Sequence, residues 1–234
     1  MQKKFRIKPV GDQAALVVFE QKIEESVNTE VMELAARIER AGRQEIVETV
    51  PAFASLLVYY DPLRMNFAEC AKFLEKLASG RGAGAGHRGK LVEIPVCYGG
   101  IYGEDLEYVA KHANMTPEEV IRIHCGREYR IYMLGFLPGF PYLGGMDERL
   151  ATPRLSSPRT KIPAGSVGIG GSQTGIYPVS SPGGWQLIGR TPVTLFSPGK
   201  GGALPYEAGD RIRFVPISEE EYLKRSCAEK KAES

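Results

Sequence analysis

SGRGAGAGHRGK, residues 79–90, is the stretch on which the fold reading turns. Glycine recurs through it and no large apolar side chain interrupts, so it has nothing to bury in a core and reads as a linker between two folded units. This places a first domain over 1–79, a Gly-rich linker over 80–90 and a second domain over 91–217, with a charged C-terminal tail over 218–234. The same stretch carries Gly84-x-x-x-x-Gly89-Lys90, one residue short of a phosphate-binding loop. Leu91 stands where Ser or Thr would hold magnesium. A helix is also expected before the glycines and a strand after them, whereas a phosphate loop runs strand, loop, helix so that the helix N-terminus faces the anion. The motif is therefore rejected.

Upstream, Phe5–Lys8 and Ala15–Phe19 read as strands around a Gly11-Asp12 turn. Val27, Val31, Leu34, Ala35 and Ile38 recur at helical spacing across 24–41, and Gly42 ends the run. Two strands follow, near 46–50 and 55–60, broken by Asp61-Pro62. A second helix covers about 67–77, with Phe67, Phe73, Leu74 and Leu77 inward. The order ββαββα suits a sheet with both helices on one face.

Downstream, a strand over 91–97 leads to a short helix over about 104–113. Thr116-Pro117-Glu118-Glu119 then has the form of a helix start, with Thr as cap, Pro first and Glu reaching back. That helix closes near Cys125-Gly126. Beyond it come a strand from Tyr129 to Phe136 and short strands punctuated by Gly and Pro up to Phe214-Val215, which suggest a sandwich or closed barrel. Ser218 and Glu221 start a last helical segment that is expected to fray into the charged end.

Hydrophobic content of 43% and charged content of 25% are ordinary for a globular protein. The net charge of +2 supplies no field that would argue for nucleic acid or a membrane surface as partner. No apolar run is long enough to span a bilayer, and the first residues lack the apolar core of a signal peptide. The four cysteines, Cys70, Cys97, Cys125 and Cys227, are scattered without a C-x-x-C pair. They read as reduced thiols of a cytoplasmic protein, with no metal site.

From Arg149 to Tyr206 there is no carboxylate, yet Arg149, Arg154, Arg159, Lys161, Arg190 and Lys200 remain. No His or Cys lies there either, so hard-metal ligation and carboxylate or His-based catalysis have no groups to use. What remains is anion binding by guanidinium and backbone N–H groups, or simply a solvated basic surface. Arg154, Arg159, Lys161 and Arg190 are the candidate cations. Gln173, Thr174 and Tyr177 supply neutral hydrogen-bonding groups, and Trp185, the single Trp, supplies an apolar wall. Ala164-Gly165-Ser166-Val167-Gly168 resembles a nucleophile elbow, but no His follows His124, so the chain order of that triad fails. Gly168-Ile169-Gly170-Gly171-Ser172-Gln173 fails the dinucleotide fingerprint at its last glycine. His124, near a helix end, is more simply a packing residue, and is the candidate proton carrier if there is one. No catalytic residue is assigned.

GFLPGFPYLGG (135–145), PAGSVGIGGSQTGIYP (163–178) and SPGGWQLIGRTP (181–192) resemble the 5-oxoprolinase B-subunit family. The Kip-type inhibitors of a sporulation histidine kinase and halves of allophanate-hydrolase-like and urea-carboxylase modules fall in the same family. The resemblance runs over nearly the whole chain. It implies an α+β protein, a small amino-terminal α/β domain followed by a cyclophilin-like β-barrel domain. It also implies a non-autonomous subunit, inactive alone, working with two other subunits, one of them a related barrel. The implied reaction is ATP-dependent opening of 5-oxo-L-proline to L-glutamate, with ATP and Mg used by the assembled complex and no cofactor held by this chain. The alternative it carries is a regulator that binds a sensor histidine kinase and blocks its autophosphorylation.

Overall fold

A computed structural model describes residues 5–22, 24–79, 89–197 and 204–233. The chain divides into two compact units, Met1–Arg88 and Gly89–Ser234. Residues 80–88, most of the expected linker, lie outside the described residues.

In the first unit β1 (Arg6–Val10), β2 (Ala14–Val18), β3 (Ile46–Pro51) and β4 (Ser55–Tyr60) form an antiparallel sheet in the order β1-β2-β4-β3. Helices α1 (Glu25–Ala41) and α2 (Phe67–Ser79) complete the ββαββα order expected from the hydrophobic spacing. α1 stops at Gly42, whose φ of 59° is left-handed and costs glycine little. Val31, Leu34 and Ile38 of α1 share one core with Cys70 and Leu74 of α2 and with Val17, Leu56 and Val58 of the sheet. Asn28 breaks the apolar pattern of α1 because its Nδ2 donates to the Ala52 carbonyl at 3.3 Å, tying the helix to the turn between β3 and β4.

The second unit opens with β5 (Leu91–Tyr98), α3 (Leu106–His112) and α4 (Pro117–Cys125). Strands β6 (Tyr129–Leu134), β7 (Pro141–Gly144), β8 (Arg159–Ile162), β9 (Ser166–Gly170), β10 (Gln173–Ile176), β11 (Ser181–Gly183), β12 (Gln186–Arg190) and β13 (Arg211–Pro216) follow, and α5 (Glu219–Glu233) ends the chain. Of these, β10-β7-β6-β13-β5-β12-β9 close into a barrel, while β8 and β11 pair as a separate ribbon. Closure leaves no free sheet edge, which explains why such short, glycine-broken strands hold together. The chain is thus an α+β protein whose barrel matches the expectation.

α2 before residue 80 and β5 from Leu91 give the helix-then-strand order on which the phosphate loop was rejected. The barrel interior holds Ile94, Val96, Ile131, Val167, Ile169, Ile188 and Phe214, with Leu106, Val109 and Val120 of α3 and α4 in the same core. Thr116 caps α4 as its sequence required: its hydroxyl accepts from Glu119 N at 3.3 Å and the Glu119 carboxylate accepts from Thr116 N at 2.9 Å. One expectation changes: the helix after the first barrel strand is shorter than 104–113, because Glu104 and Asp105 are used elsewhere. The C-terminal segment begins as the expected helix. Its base docks through Tyr222, whose ring lies 4.4 Å from that of Tyr102, and through Glu219, which accepts from the Tyr102 hydroxyl at 3.2 Å.

Candidate functional site

On the barrel's outer wall the motif residues build an aromatic platform. Phe140, Ile162, Tyr177, Trp185 and Leu187 form a buried cluster separate from the barrel interior, with Leu137 and Tyr142 against it. Phe140 is its hub, meeting Tyr142, Tyr177 and Trp185 edge to face at 5.1, 5.4 and 5.6 Å. Edge-to-face pairs suit the ring quadrupoles and fix ring orientations. Gly170 is what lets Trp185 lie flat on β9: a Cβ there would sit 2.5 Å from the indole Nε1.

Arg154 stands exposed on this platform with its guanidinium 5.7 Å above the Trp185 ring. The loop that carries it is pinned on both sides. Gln186, buried on β12, donates to the Pro153 carbonyl at 2.8 Å, and Leu155 N donates to the Gly184 carbonyl at 2.7 Å. A cation is therefore presented on rigid backbone beside apolar rings, which is the chemistry that holds a carboxylate next to a small apolar body. Burial raises the Tyr177 phenol pKa, partly offset by a hydrogen bond to the Trp185 backbone and by Arg154 and Arg159, so it is a neutral donor at pH 7. Lys161 is exposed on β8 and Gln173 is half-buried at the start of β10.

Arg159 and Arg190 do something other than wait for an anion. Arg159 Nη2 donates to both carboxylate oxygens of Asp105 at 2.8 and 2.9 Å, its Nε lies 3.0 Å from Glu104, and Nη1 donates to the Trp185 carbonyl at 3.3 Å. Asp105 Oδ2 also accepts from Leu187 N at 2.6 Å. Arg190 reaches the other end of the same loop: its guanidinium lies 5.9 Å over Tyr102 and its Nη2 donates to the Ile101 carbonyl at 3.5 Å. Between them the loop runs along β12 so closely that a Cβ on Gly103 would lie 2.1 Å from the Ile188 carbonyl oxygen. The two arginines hold down residues 99–105. Sequence reasoning missed this because the carboxylates that neutralise Arg159 come from outside the acid-free segment.

His124 and Thr174 lie inside the barrel, away from the platform. The Thr174 hydroxyl donates to the Gly168 carbonyl at 3.0 Å, so its oxygen accepts from His124 Nε2 at 2.9 Å. His124 Nδ1 then accepts from the Tyr98 hydroxyl at 2.8 Å, and the Cys125 thiol donates to that hydroxyl at 3.4 Å. The ring stacks on Phe214 at 4.5 Å. Burial pushes the His124 pKa down to about 3, so the imidazole is neutral at physiological pH. Every polar atom in the row has its partner, as a buried polar group requires. Ser166, the serine of the elbow-like motif, is fully buried at the start of β9 rather than raised on a turn.

Arg149 is engaged by Asp147 through Nε at 2.9 Å and Nη2 at 2.8 Å. Lys200 lies outside the described residues. Among the described residues no cluster of three or more His, Cys, Asp or Glu side chains is arranged to hold a metal, and no helix is long and apolar enough to cross a membrane.

A family model described as the carboxyltransferase domain, subdomain C and D, matches residues 5–205. The chain is 47% identical to the B subunit of 5-oxoprolinase from Bacillus subtilis, over 94% of this chain and 95% of that protein. A solved conserved uncharacterized protein of Pyrococcus horikoshii is 49% identical, with 93% of this chain and 100% of that one covered and a TM-score of 0.56. The Kluyveromyces lactis urea carboxylase shares the fold at 22% identity and a TM-score of 0.73, over 94% of this chain and 22% of that one. With matches of that length and identity, the chain belongs to the carboxyltransferase subdomain C and D family, in its 5-oxoprolinase B-subunit branch.

Proposed function

We propose that this chain is a non-autonomous subunit of an ATP-dependent 5-oxoprolinase that hydrolyses 5-oxo-L-proline to L-glutamate. The observation that carries the reading is the end-to-end similarity to the 5-oxoprolinase B subunit, together with a platform whose chemistry suits that substrate. 5-Oxoproline is a small ring bearing one carboxylate and one amide. Arg154, above the Trp185 ring, takes the carboxylate, half-buried Tyr142 meets the substrate ring, and half-buried Gln173 and exposed Lys161 are the further donors.

Opening an unstrained lactam requires activation of its carbonyl. In the proposed sequence the γ-phosphoryl group of ATP passes to the lactam oxygen and ADP leaves. Water adds to the carbon, the ring C–N bond breaks with the nitrogen taking a proton to leave an acyl phosphate, and a second water displaces phosphate from the acyl carbon to give the free carboxylate. The role of this chain is to position the substrate and spread negative charge. ATP and its Mg sit on the other two subunits, one a related barrel, and this chain alone turns over nothing. Arg159 and Arg190 act by holding the loop 99–105, Thr174 and His124 act in the barrel interior, and the protein is cytoplasmic, with domains 1–79 and 91–217 on either side of a linker over 80–90. Co-expression with the two cognate subunits, with glutamate release measured with and without ATP, tests the reading. Release that depends on ATP and on all three chains supports it, and turnover by this chain alone overturns it.

A further inference from the structure

Phe136 combines three properties that rarely meet in one side chain. It is a large aromatic left 69% exposed, its φ is +66°, and the loop around it is locked. Left-handed backbone at a bulky non-glycine residue is strained, and strain of this kind persists only where the surroundings impose it. Here they do. Gly135 N donates to the Phe140 carbonyl at 3.1 Å, Leu137 N to the Gly135 carbonyl at 2.8 Å and Phe140 N to the Leu137 carbonyl at 3.0 Å. The buried Tyr206 hydroxyl donates to the Gly139 carbonyl at 2.9 Å and ties the far side of the loop to the unit's core. The Phe136 ring stands at 86° to Phe140, 5.9 Å away, so it rests on the hub of the platform and points outward.

A glycine at this position would relieve the strain, and a polar residue would be at home in solvent. A phenylalanine gains from the site only when its ring is covered. Rigid aromatics beside arginine are what protein interfaces use as anchors, because little conformational entropy is lost when they bind. We infer that Phe136 is the anchor of a protein–protein contact, inserting into an apolar pocket of another subunit whose rim carries carboxylates. The acidic rim follows from charge. Arg154 is exposed on the same platform, Lys161 is exposed on β8, and the sequence from Arg149 to Tyr206 offers no carboxylate to meet a basic partner. The inference rests on the reading that this chain works beside other subunits, and it names the patch through which it does so.

The test uses the full chain and the cognate related barrel subunit of the 5-oxoprolinase as probe, with affinity measured by calorimetry. Phe136→Ala is expected to weaken binding at least about 30-fold. Phe136→Gly is expected to weaken it equally while raising Tm, because glycine accepts the left-handed backbone. A residue that served only the fold would not gain Tm on removal. Raising the salt concentration is expected to weaken wild-type binding, as attraction between this acid-free basic wall and an acidic rim requires. Wild-type affinity in both Phe136 variants would overturn the anchor while leaving the subunit reading intact. Unchanged affinity with a raised KM in the assembled enzyme would overturn it in favour of a substrate contact. A wild-type chain that binds no cognate subunit would bring down both.

Discussion

Asp105 and Arg159 form a two-oxygen ion pair, 2.8 and 2.9 Å from one guanidinium nitrogen, that joins the start of α3 to the β8 ribbon. Because Asp105 also accepts from Leu187 N, one carboxylate bridges a loop, a barrel strand and the ribbon. Both side chains are mostly buried, Asp105 at 14% and Arg159 at 23% exposure, so little water competes for the pair.

Asp105→Ala is therefore expected to destabilise the second unit by about 2–4 kcal/mol, since it strands the Arg159 charge and the Leu187 amide together. Arg159→Ala should cost about 1–3 kcal/mol, and Arg159→Lys should recover little of it because an ammonium lacks the planar fork. Urea unfolding of the three variants and the double mutant measures the coupling. Full stability in Arg159→Ala, with activity lost in the assembled enzyme, would return Arg159 to the role of substrate clamp.

Arg154 should behave in the opposite way. It is exposed, so Arg154→Ala is expected to change stability by less than about 0.5 kcal/mol. In the reconstituted enzyme the loss of a charge-assisted contact to the substrate carboxylate should cost about 2–4 kcal/mol of transition-state stabilisation, roughly 30- to 1,000-fold in rate. Arg149→Ala, which removes an exposed guanidinium and leaves Asp147 its pairing with Arg127, is the control and should leave kcat/KM near wild type. Steady-state kinetics on the pair decides between a clamp and a solvated surface.

The packing of Trp185 on β9 leads to a stability prediction with no charge in it. Gly170→Ala would place a methyl group 2.5 Å from the indole nitrogen and force Trp185 off its rings. A cost of about 1–3 kcal/mol is expected, together with a red-shifted Trp emission as water reaches the only indole in the chain. Tryptophan fluorescence during denaturant titration reads both at once.

Buried His124 makes stability depend on pH. Its folded pKa is lowered to about 3, whereas the unfolded side chain titrates near 6.5. Between those values the unfolded chain binds the extra proton. The contribution is therefore fully present above about pH 6.5 and is lost as pH falls toward 3, at up to about 1.4 kcal/mol per pH unit. His124→Gln removes the titrating group, so its stability curve should be lower at pH 7 but flatter than wild type between pH 6.5 and 5. Parallel curves for the two proteins in that window would show that the imidazole is not held neutral.

Elements were legible wherever one local rule decided them. The apolar spacing of Val31, Leu34 and Ile38 needed a helix whatever it packed against, and Gly42 ended it because only its backbone turns left-handed cheaply. Thr116, Pro117 and Glu119 wrote the start of α4 in four residues. The short glycine-broken strands after Tyr129 left a sandwich or a closed barrel open, and the structure closes seven strands of this unit into a barrel.

These local choices and the ββαββα order follow from the order of residues alone. Which cations remain open to a ligand does not, because it depends on what packs beside each one. Arg154 and Arg159 are near neighbours in sequence and chemically alike, yet one stands on Trp185 and the other is consumed by Asp105 and Glu104. That difference rests on carboxylates brought from some fifty residues away by barrel closure, as the Arg159 to Asp105 separation of 54 shows. Likewise Thr174, read beside Gln173 as part of one surface, turns inward because alternate residues of a strand face opposite sides, and there it holds His124. Local pattern sets which elements form, and long-range pairing sets which side chains are left free to act.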